Sequence, residues 1–483
     1  MRWSYLIAVV ANRGIALLGI LALSHLMTAS EFGIYSLIAV NALMASTLAG
    51  TWIATSATRL MATEAAGRRN FLLGRIGGVV GVMLGLQLAL AATAALGLLV
   101  FGRAQDVNLV AATLLWAMAT IIYDVTLAAK NGLSADSSYM VVSITRNTGA
   151  MLLCVAAALV GAPVFWVAMG QVAGIALALL SSSKATELVR AALRKAPDPL
   201  GSGAPSSGIS LQEMLRFGWT GTLALSLLVL INSIARNAIA HWMGEGAAGT
   251  YALVSDLLFA PITLLATSYS LSRMASLYKL ADAPAEDRSR EHRQFIAVIG
   301  WLVIPYGVAG YLAAADLVAI FLPAHMRADA ISVAPWSMVQ AALISMIFAH
   351  TTLMLTAQRK RHVWQVAIAA LIAFSVASLV AVRSGDLLLF AMAMAGAAIV
   401  SLCVSTARMG MDAAPVASLM KSGVAAVGMA AAMIVPLPLD GIVGTAIRLF
   451  LGLMIYVAIS GVLKPIKLSE ILPRRGQPAP AAD

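Results

Sequence analysis

Between Tyr5 and Lys464 the chain is a near-continuous succession of apolar stretches, each long enough to cross a bilayer. A hydrocarbon core about 30 Å thick needs roughly 20 apolar residues per helical span. Spans are expected at 5–27, 32–57, 73–101, 109–130, 139–160, 163–183, 215–242, 249–275, 295–321, 331–357, 363–382, 386–407, 418–436 and 441–463. Apolar residues make up 61% of the chain and charged residues 11%, roughly half of what a soluble domain carries. A membrane barrel would instead show short alternating segments. The first stretch is too long for a removable signal peptide and leads straight into a second span.

Charge placement tests that count. With the N-terminus in the cytoplasm, basic residues should gather on the segments that return inside. They do so at Arg59, Arg68, Arg69 and Arg75, at Lys130, at Lys184, Arg190, Arg194 and Lys195, and at Lys279, Arg288, Arg290 and Arg293. The pattern continues at Arg359, Lys360 and Arg361, at Arg408 and Lys421, and at Lys464, Lys467, Arg474 and Arg475. The opposite connections hold Arg103, Arg327 and Arg383. The alternation predicts a multi-pass protein of the plasma (inner) membrane with both termini cytoplasmic. Its net charge of +11 then reports topology and the anionic inner leaflet, with no nucleic-acid partner.

One junction is written twice. "HLMTASEFGIYSL" from His25 aligns with "HWMGEGAAGTYAL" from His241, pairing Met27 with Met243, Gly33 with Gly249, Tyr35 with Tyr251 and Leu37 with Leu253. An even number of spans separates the copies, so both face the same way. The expected architecture is an all-α polytopic membrane protein of about fourteen transmembrane helices: two parallel six-helix lobes plus two extra C-terminal helices. Such lobes are related by an axis along the membrane normal, as in transporters built around a central site. The boundaries are 1–183 for the first lobe, 184–212 for a Pro/Gly/Ser-rich cytoplasmic linker, and 213–408 for the second lobe. The additional helix pair is 409–464 and the cytoplasmic tail 465–483. At the junction, Thr28 and Ser30 offer caps with Glu31 in the next first turn. Gly33 and Gly249 permit close helix approach, and Tyr35 and Tyr251 suit a wet interface. In span 3, Gly74, Gly78, Gly81 and Gly85 recur at helical spacing, which favours tight packing.

Charged and polar groups inside spans are expensive and mark cavities or partners. Span 1 carries Asn12 and Arg13, the latter roughly 12 Å beyond Tyr5 at 1.5 Å per residue. A cavity-facing role competes there with interhelical pairing and snorkelling. Span 5 offers Ser143, Arg146 and Asn147 on one side, with the same ambiguity. In span 7, Thr222, Ser226, Ser233 and Asn237 share a face, and Asn232 and Arg236 lie a turn apart. Span 2 has Thr47, Thr51, Thr55 and Thr58, hydroxyls that can equally back-bond to their own helix. Asp124 in span 4 pairs with Arg146 or Arg13, or carries a proton or sodium ion. Asp256 in span 8 precedes Pro261. His25 and His241 read as interfacial. Arg13, Arg146, Arg236 and Arg448 outnumber Asp124 and Asp256, which favours an anion, above all a phosphate held by guanidinium forks.

Neither Cys154 nor Cys403 suggests a disulfide or metal, and the catalytic and nucleotide-binding motifs sought are missing. The expectation is no enzyme, no cofactor and no metal, with a proton gradient, a sodium gradient or the membrane potential as candidates for coupling.

"SEFGIYSLIAV" after a first span with an embedded Arg, its echo "GAAGTYALVSDL", and "ITRNTGAMLL" in span 5 resemble the polysaccharide transporter family, the O-antigen and exopolysaccharide flippases. That family belongs to a superfamily shared with toxic-compound-extrusion exporters and lipid II flippases. The resemblance implies transfer of a polyprenyl-diphosphate-linked oligosaccharide to the outer leaflet by alternating access, for O-antigen, capsule or exopolysaccharide assembly. It implies that Arg13 and Arg146 contact diphosphate, that Asn12, Asn232 and Asn237 bind sugar hydroxyls, and that Arg236 serves either part. Membrane lipids and polysaccharide polymerase machinery are the other partners it suggests. The alternatives are a cation-coupled multidrug exporter and a lipid II-type flippase; the acidic first-span residue of many drug exporters is missing here.

Overall fold

The computed structural model describes residues 3–63, 69–102, 106–132, 136–181, 211–279, 284–357, 359–409, 413–435 and 441–466. The expected linker 184–212 and tail 465–483 lie almost wholly outside these residues, as do Arg2, Arg68 and Arg103.

Within the described residues the chain is helical throughout. Its helices are α1 Trp3–Leu26, α2 Ala29–Thr63, α3 Arg69–Val100, α4 Val107–Gly132, α5 Asp136–Leu159, α6 Val164–Leu180 and α7 Leu211–Met243. They continue as α8 Glu245–Lys279, α9 Ala285–Phe321, α10 Ala324–Thr356, α11 Lys360–Ala381, α12 Leu387–Met409, α13 Ala413–Ile434 and α14 Gly441–Leu463. The fourteen helices fall on the fourteen expected spans. Ten of them, among the described residues, are long and apolar enough to cross a membrane, and α1 and α6 add shorter apolar stretches. Hydrocarbon offers no hydrogen bonds, so each crossing must satisfy its backbone internally, and apolar runs of this length therefore fold as helices. Pro163, Pro284 and Pro323 stand at the N-caps of α6, α9 and α10, where a missing N–H costs nothing.

Two compact units divide the chain at Leu253/Val254, inside α8. In the N-terminal unit, α2 is the central helix, packed against α4, α7, α3 and α6, while α5 joins α1, α4 and α6. Trp52, Ile53, Ala57 and Met61 of α2 form a core with Leu72, Leu73, Ile76 and Val80 of α3 and with Ile121, Val125 and Ala129 of α4. The α5–α6 contact is close because Gly170 and Gly174 bring α6 onto the backbone of Cys154 and Ala150.

The repeated junction is where α2 and the start of α8 touch. A Cβ on Gly33 would collide with the Glu245 carbonyl oxygen, and one on Gly249 with that of Ala29. The Gly33 N and Cα stand 2.8 Å and 3.1 Å from that hypothetical Gly249 Cβ. The two copies thus pack against each other. Thr28 and Glu31 form a reciprocal capping box, the Thr28 N–H and hydroxyl each donating to Glu31 Oε2 at 2.9 Å. Ser30 is no cap: its hydroxyl donates to Glu245 Oε2 at 2.8 Å, tying one copy to the other. Where the first copy has Thr28 the second has Gly244, at φ +94°, a conformation side chains resist.

Two further expectations are corrected. Tyr35 and Tyr251 are buried, not interfacial; Tyr35 accepts a hydrogen bond from Gln171 at 2.9 Å and meets the Trp116 ring at 5.9 Å. Gly78 and Gly85 have nothing within 4 Å, because the packed face of α3 is the one bearing Leu72, Ile76 and Val80. In span 2 the back-bonding alternative holds at two of the four hydroxyls: Thr55 donates to the Thr51 carbonyl at 2.9 Å, and Thr58 to that of Ala54 at 3.1 Å.

In the C-terminal unit, α9 packs against α10, α13 and α14, and α12 against α10 and α11. Ala313 of α9, Ala425, Ala426, Met429 and Met433 of α13, and Tyr456 of α14 form one core. The Tyr456 hydroxyl donates to the Trp301 carbonyl at 2.7 Å. Arg448 of α14 pairs with Asp316 of α9 at 2.7 Å. Asp316 therefore joins Asp124 and Asp256 among the intramembrane carboxylates, and Arg448 is spent on it.

Candidate functional site

The polar residues of the N-terminal unit gather in two places. The first lies where α1, α4 and α5 meet. Asn12 and Arg13 are consecutive on α1; Tyr123 and Asp124 are consecutive on α4; Ser143 and Arg146 lie one turn apart on α5. The Asn12 carboxamide donates to the Ser143 hydroxyl, which fixes α1 against α5. Ser143 and Tyr123 are buried, Asn12, Asp124 and Arg146 half-buried, and Arg13 exposed.

Arg146 is held over the Tyr123 ring, 4.5 Å from guanidinium carbon to ring centroid. A desolvated cation–π contact of this kind contributes about 2 kcal/mol. It orients the guanidinium without neutralising it. Arg13 and Arg146 are close enough to act on each other electrostatically. Among the described residues neither forms an ion pair. Two like charges thus act on each other inside a membrane protein, an arrangement that an anion relieves. Two buried atoms also lack a hydrogen-bond partner among the described residues: Asn12 Oδ1, an acceptor, and Arg146 Nε, a donor. Each such atom costs roughly 1–3 kcal/mol unless something binds it.

The second place is the α2–α7 contact. Asn41 Oδ1 accepts from the Ser233 hydroxyl at 2.6 Å and from Asn237 Nδ2 at 2.9 Å. Asn237 Nδ2 also reaches the Ser233 carbonyl at 2.7 Å. Ser233 and Asn237 do share a face, as their spacing requires, while the Thr222 side chain lies outside the described residues. Asn232 is half-buried, and Arg236 is buried with contacts of its own. Asp256 belongs to the C-terminal unit, half-buried and engaged.

Tyr123 and Asn41 were not apparent as site residues from sequence. Tyr123 carried a usable signal, an aromatic directly before an intramembrane carboxylate. Asn41 is a lone carboxamide in an apolar run, and its partners lie on a helix far along the chain.

No family model matches the sequence, and no curated protein matches it. Solved structures do match in three dimensions. A structure titled lipid II flippase MurJ in an inward closed conformation aligns at TM-score 0.72 and 10% identity, over 94% of this chain and 97% of that one. An inward-facing multidrug-resistance MATE transporter of the MOP superfamily aligns at 0.55 and 15%, over 83% and 94%. A MOP superfamily transporter from Pyrococcus furiosus, described as having a binding pocket of reverse polarity, aligns at 0.50 and 16%, over 85% and 98%. The shared property is the fold.

Proposed function

We propose that this protein is a flippase that moves a polyprenyl-diphosphate-linked oligosaccharide across the inner membrane by alternating access, for O-antigen, capsule or exopolysaccharide assembly. The observation that supports this is the Arg13–Arg146 pair, two guanidiniums that act on each other and, among the described residues, form no ion pair with a carboxylate. A diphosphate supplies adjacent anionic oxygens that match guanidinium forks. It would also accept a hydrogen bond from Arg146 Nε, and a sugar hydroxyl would donate to Asn12 Oδ1. Asn232, Asn237 and Arg236 are assigned to the sugar or the diphosphate. Both termini are assigned to the cytoplasm, polymerase machinery acts downstream, and the membrane potential or a proton or sodium gradient drives the cycle.

The test is to delete the gene and identify the lipid-linked glycan that accumulates on the cytoplasmic leaflet. Arg13→Ala and Arg146→Ala should reproduce that accumulation while the protein still reaches the membrane. Normal polymer output from both variants would overturn the reading. The lipid II-type alternative is favoured by the TM-score of 0.72 over nearly the whole chain. It shares the diphosphate chemistry, and the identity of the accumulated lipid separates the two. A multidrug exporter would confer dye efflux, which a cationic site opposes.

A further inference from the structure

Asp124 has no place in that reading, yet it stands beside the site. Its carboxylate follows Tyr123, the ring on which Arg146 rests, and Arg146 is the charged group that acts on it. Among the described residues it makes no ion pair or hydrogen bond. Besides Arg146, the helices packed on α4 offer two described charges, Glu31 and Arg75, the second one residue before Ile76, which packs with Ile121 and Val125. The α6 helix carries none, Glu31 lies at the start of α2, and Arg75 lies near the start of α3. On α4 itself, Lys130 lies six residues beyond Asp124, in the last turn. Arg13, on α1, acts on Arg146. The side chains of Arg59, Arg69 and Asp136 lie outside the described residues.

A bare carboxylate in a span is costly, and so is a bare guanidinium. Set near each other without touching, the two share a partial remedy that any bound anion must displace. We propose that Asp124 is a positioning residue that competes with the cargo's phosphate for Arg146. This rests on the anion reading of the Arg13–Arg146 pair. Ionised, the carboxylate draws on the Arg146 charge and repels an incoming anion. Protonated by a proton from solvent, it does neither, while Arg146 keeps its charge throughout. Anion binding and proton uptake are then linked, each promoting the other by the same factor. Anion affinity must rise as pH falls through the titration of Asp124.

Sulfate is the probe, because it keeps both charges across the neutral range and adds no pH dependence of its own. Its binding to the full chain in detergent is measured by calorimetry. Wild type should bind more tightly as pH is lowered. Asp124→Asn should bind about tenfold more tightly at mildly alkaline pH, the scale of one nearby like charge removed, and should show a flat profile. Asp124→Glu should restore the slope. Equal affinities and equal profiles in wild type and Asp124→Asn, with binding still abolished by Arg146→Ala, would overturn the role of Asp124 and leave the anion site standing. Sulfate binding indifferent to both Arg13→Ala and Arg146→Ala would overturn the anion reading and this inference with it. Should Asp124→Asn fail to fold, a flat profile in wild type alone overturns the proposal.

Discussion

Gly33 and Gly249, equivalent positions in the two copies of one junction, meet backbone to backbone, and neither has room for a methyl group. The repetition in the sequence is therefore more than a trace of duplication. The copies are each other's packing partner, joined further by Ser30 and Glu245.

That contact predicts a steep steric penalty. Gly249→Val places side-chain atoms against the Ala29 carbonyl and the Gly33 backbone, which cannot rotate away. Overpacking of this kind costs about 1–3 kcal/mol and more where backbone must move. The variant should melt well below wild type in a detergent thermal-shift assay, while Gly85→Ala, with nothing within 4 Å, should melt like wild type.

The Arg448–Asp316 pair predicts non-additivity. Removing either partner leaves a charge inside the membrane, at roughly 2–3 kcal/mol. The double substitution Arg448→Leu with Asp316→Leu removes both charges and should recover most of that loss. A double-mutant cycle on melting temperature measures the coupling; additive losses would show that the pair contributes nothing.

On the proposed flippase reading, Tyr123→Phe keeps the ring face under Arg146 and should leave transport within about threefold of wild type, whereas Tyr123→Leu removes a contact of about 2 kcal/mol. Polymer output normalised to protein in the membrane is the measurement. Leu should lower it by at least tenfold, with Arg146→Ala lower still.

The Asn41 carboxamide accepts two hydrogen bonds across the α2–α7 contact. Intramembrane bonds of this type average about 0.6 kcal/mol and reach about 1.7 kcal/mol. Asn41→Leu should therefore cost about 1–3 kcal/mol in the same thermal assay, and Ser233→Ala about half as much. Equal stability for wild type and Asn41→Leu would show the network to be incidental.

Helix number and placement were legible because both rest on a local quantity, the span length set by bilayer thickness. The duplicated junction was legible as an architectural motif, but its use was not, since residue spacing along one helix says nothing about which other helix arrives. Tyr35 shows the cost of that gap. Its position suits an interface, yet Gln171 from a distant helix gives the hydroxyl a partner and takes the ring inside. Arg13 and Arg146 stood out as isolated charges in apolar runs. Asp316 is no less isolated, and its ion pair takes Arg448 out of the intramembrane cations available to an anion.

The attachment of α13 and α14 has a mechanical corollary. Among the described residues their packing within the C-terminal unit runs through α9, by way of the Tyr456–Trp301 hydrogen bond, the Arg448–Asp316 pair and the close seat of Leu419 on Gly300. Fastened to one long rod at several heights, the pair has no independent pivot there. Any tilt of that rod carries both helices along on the same lever.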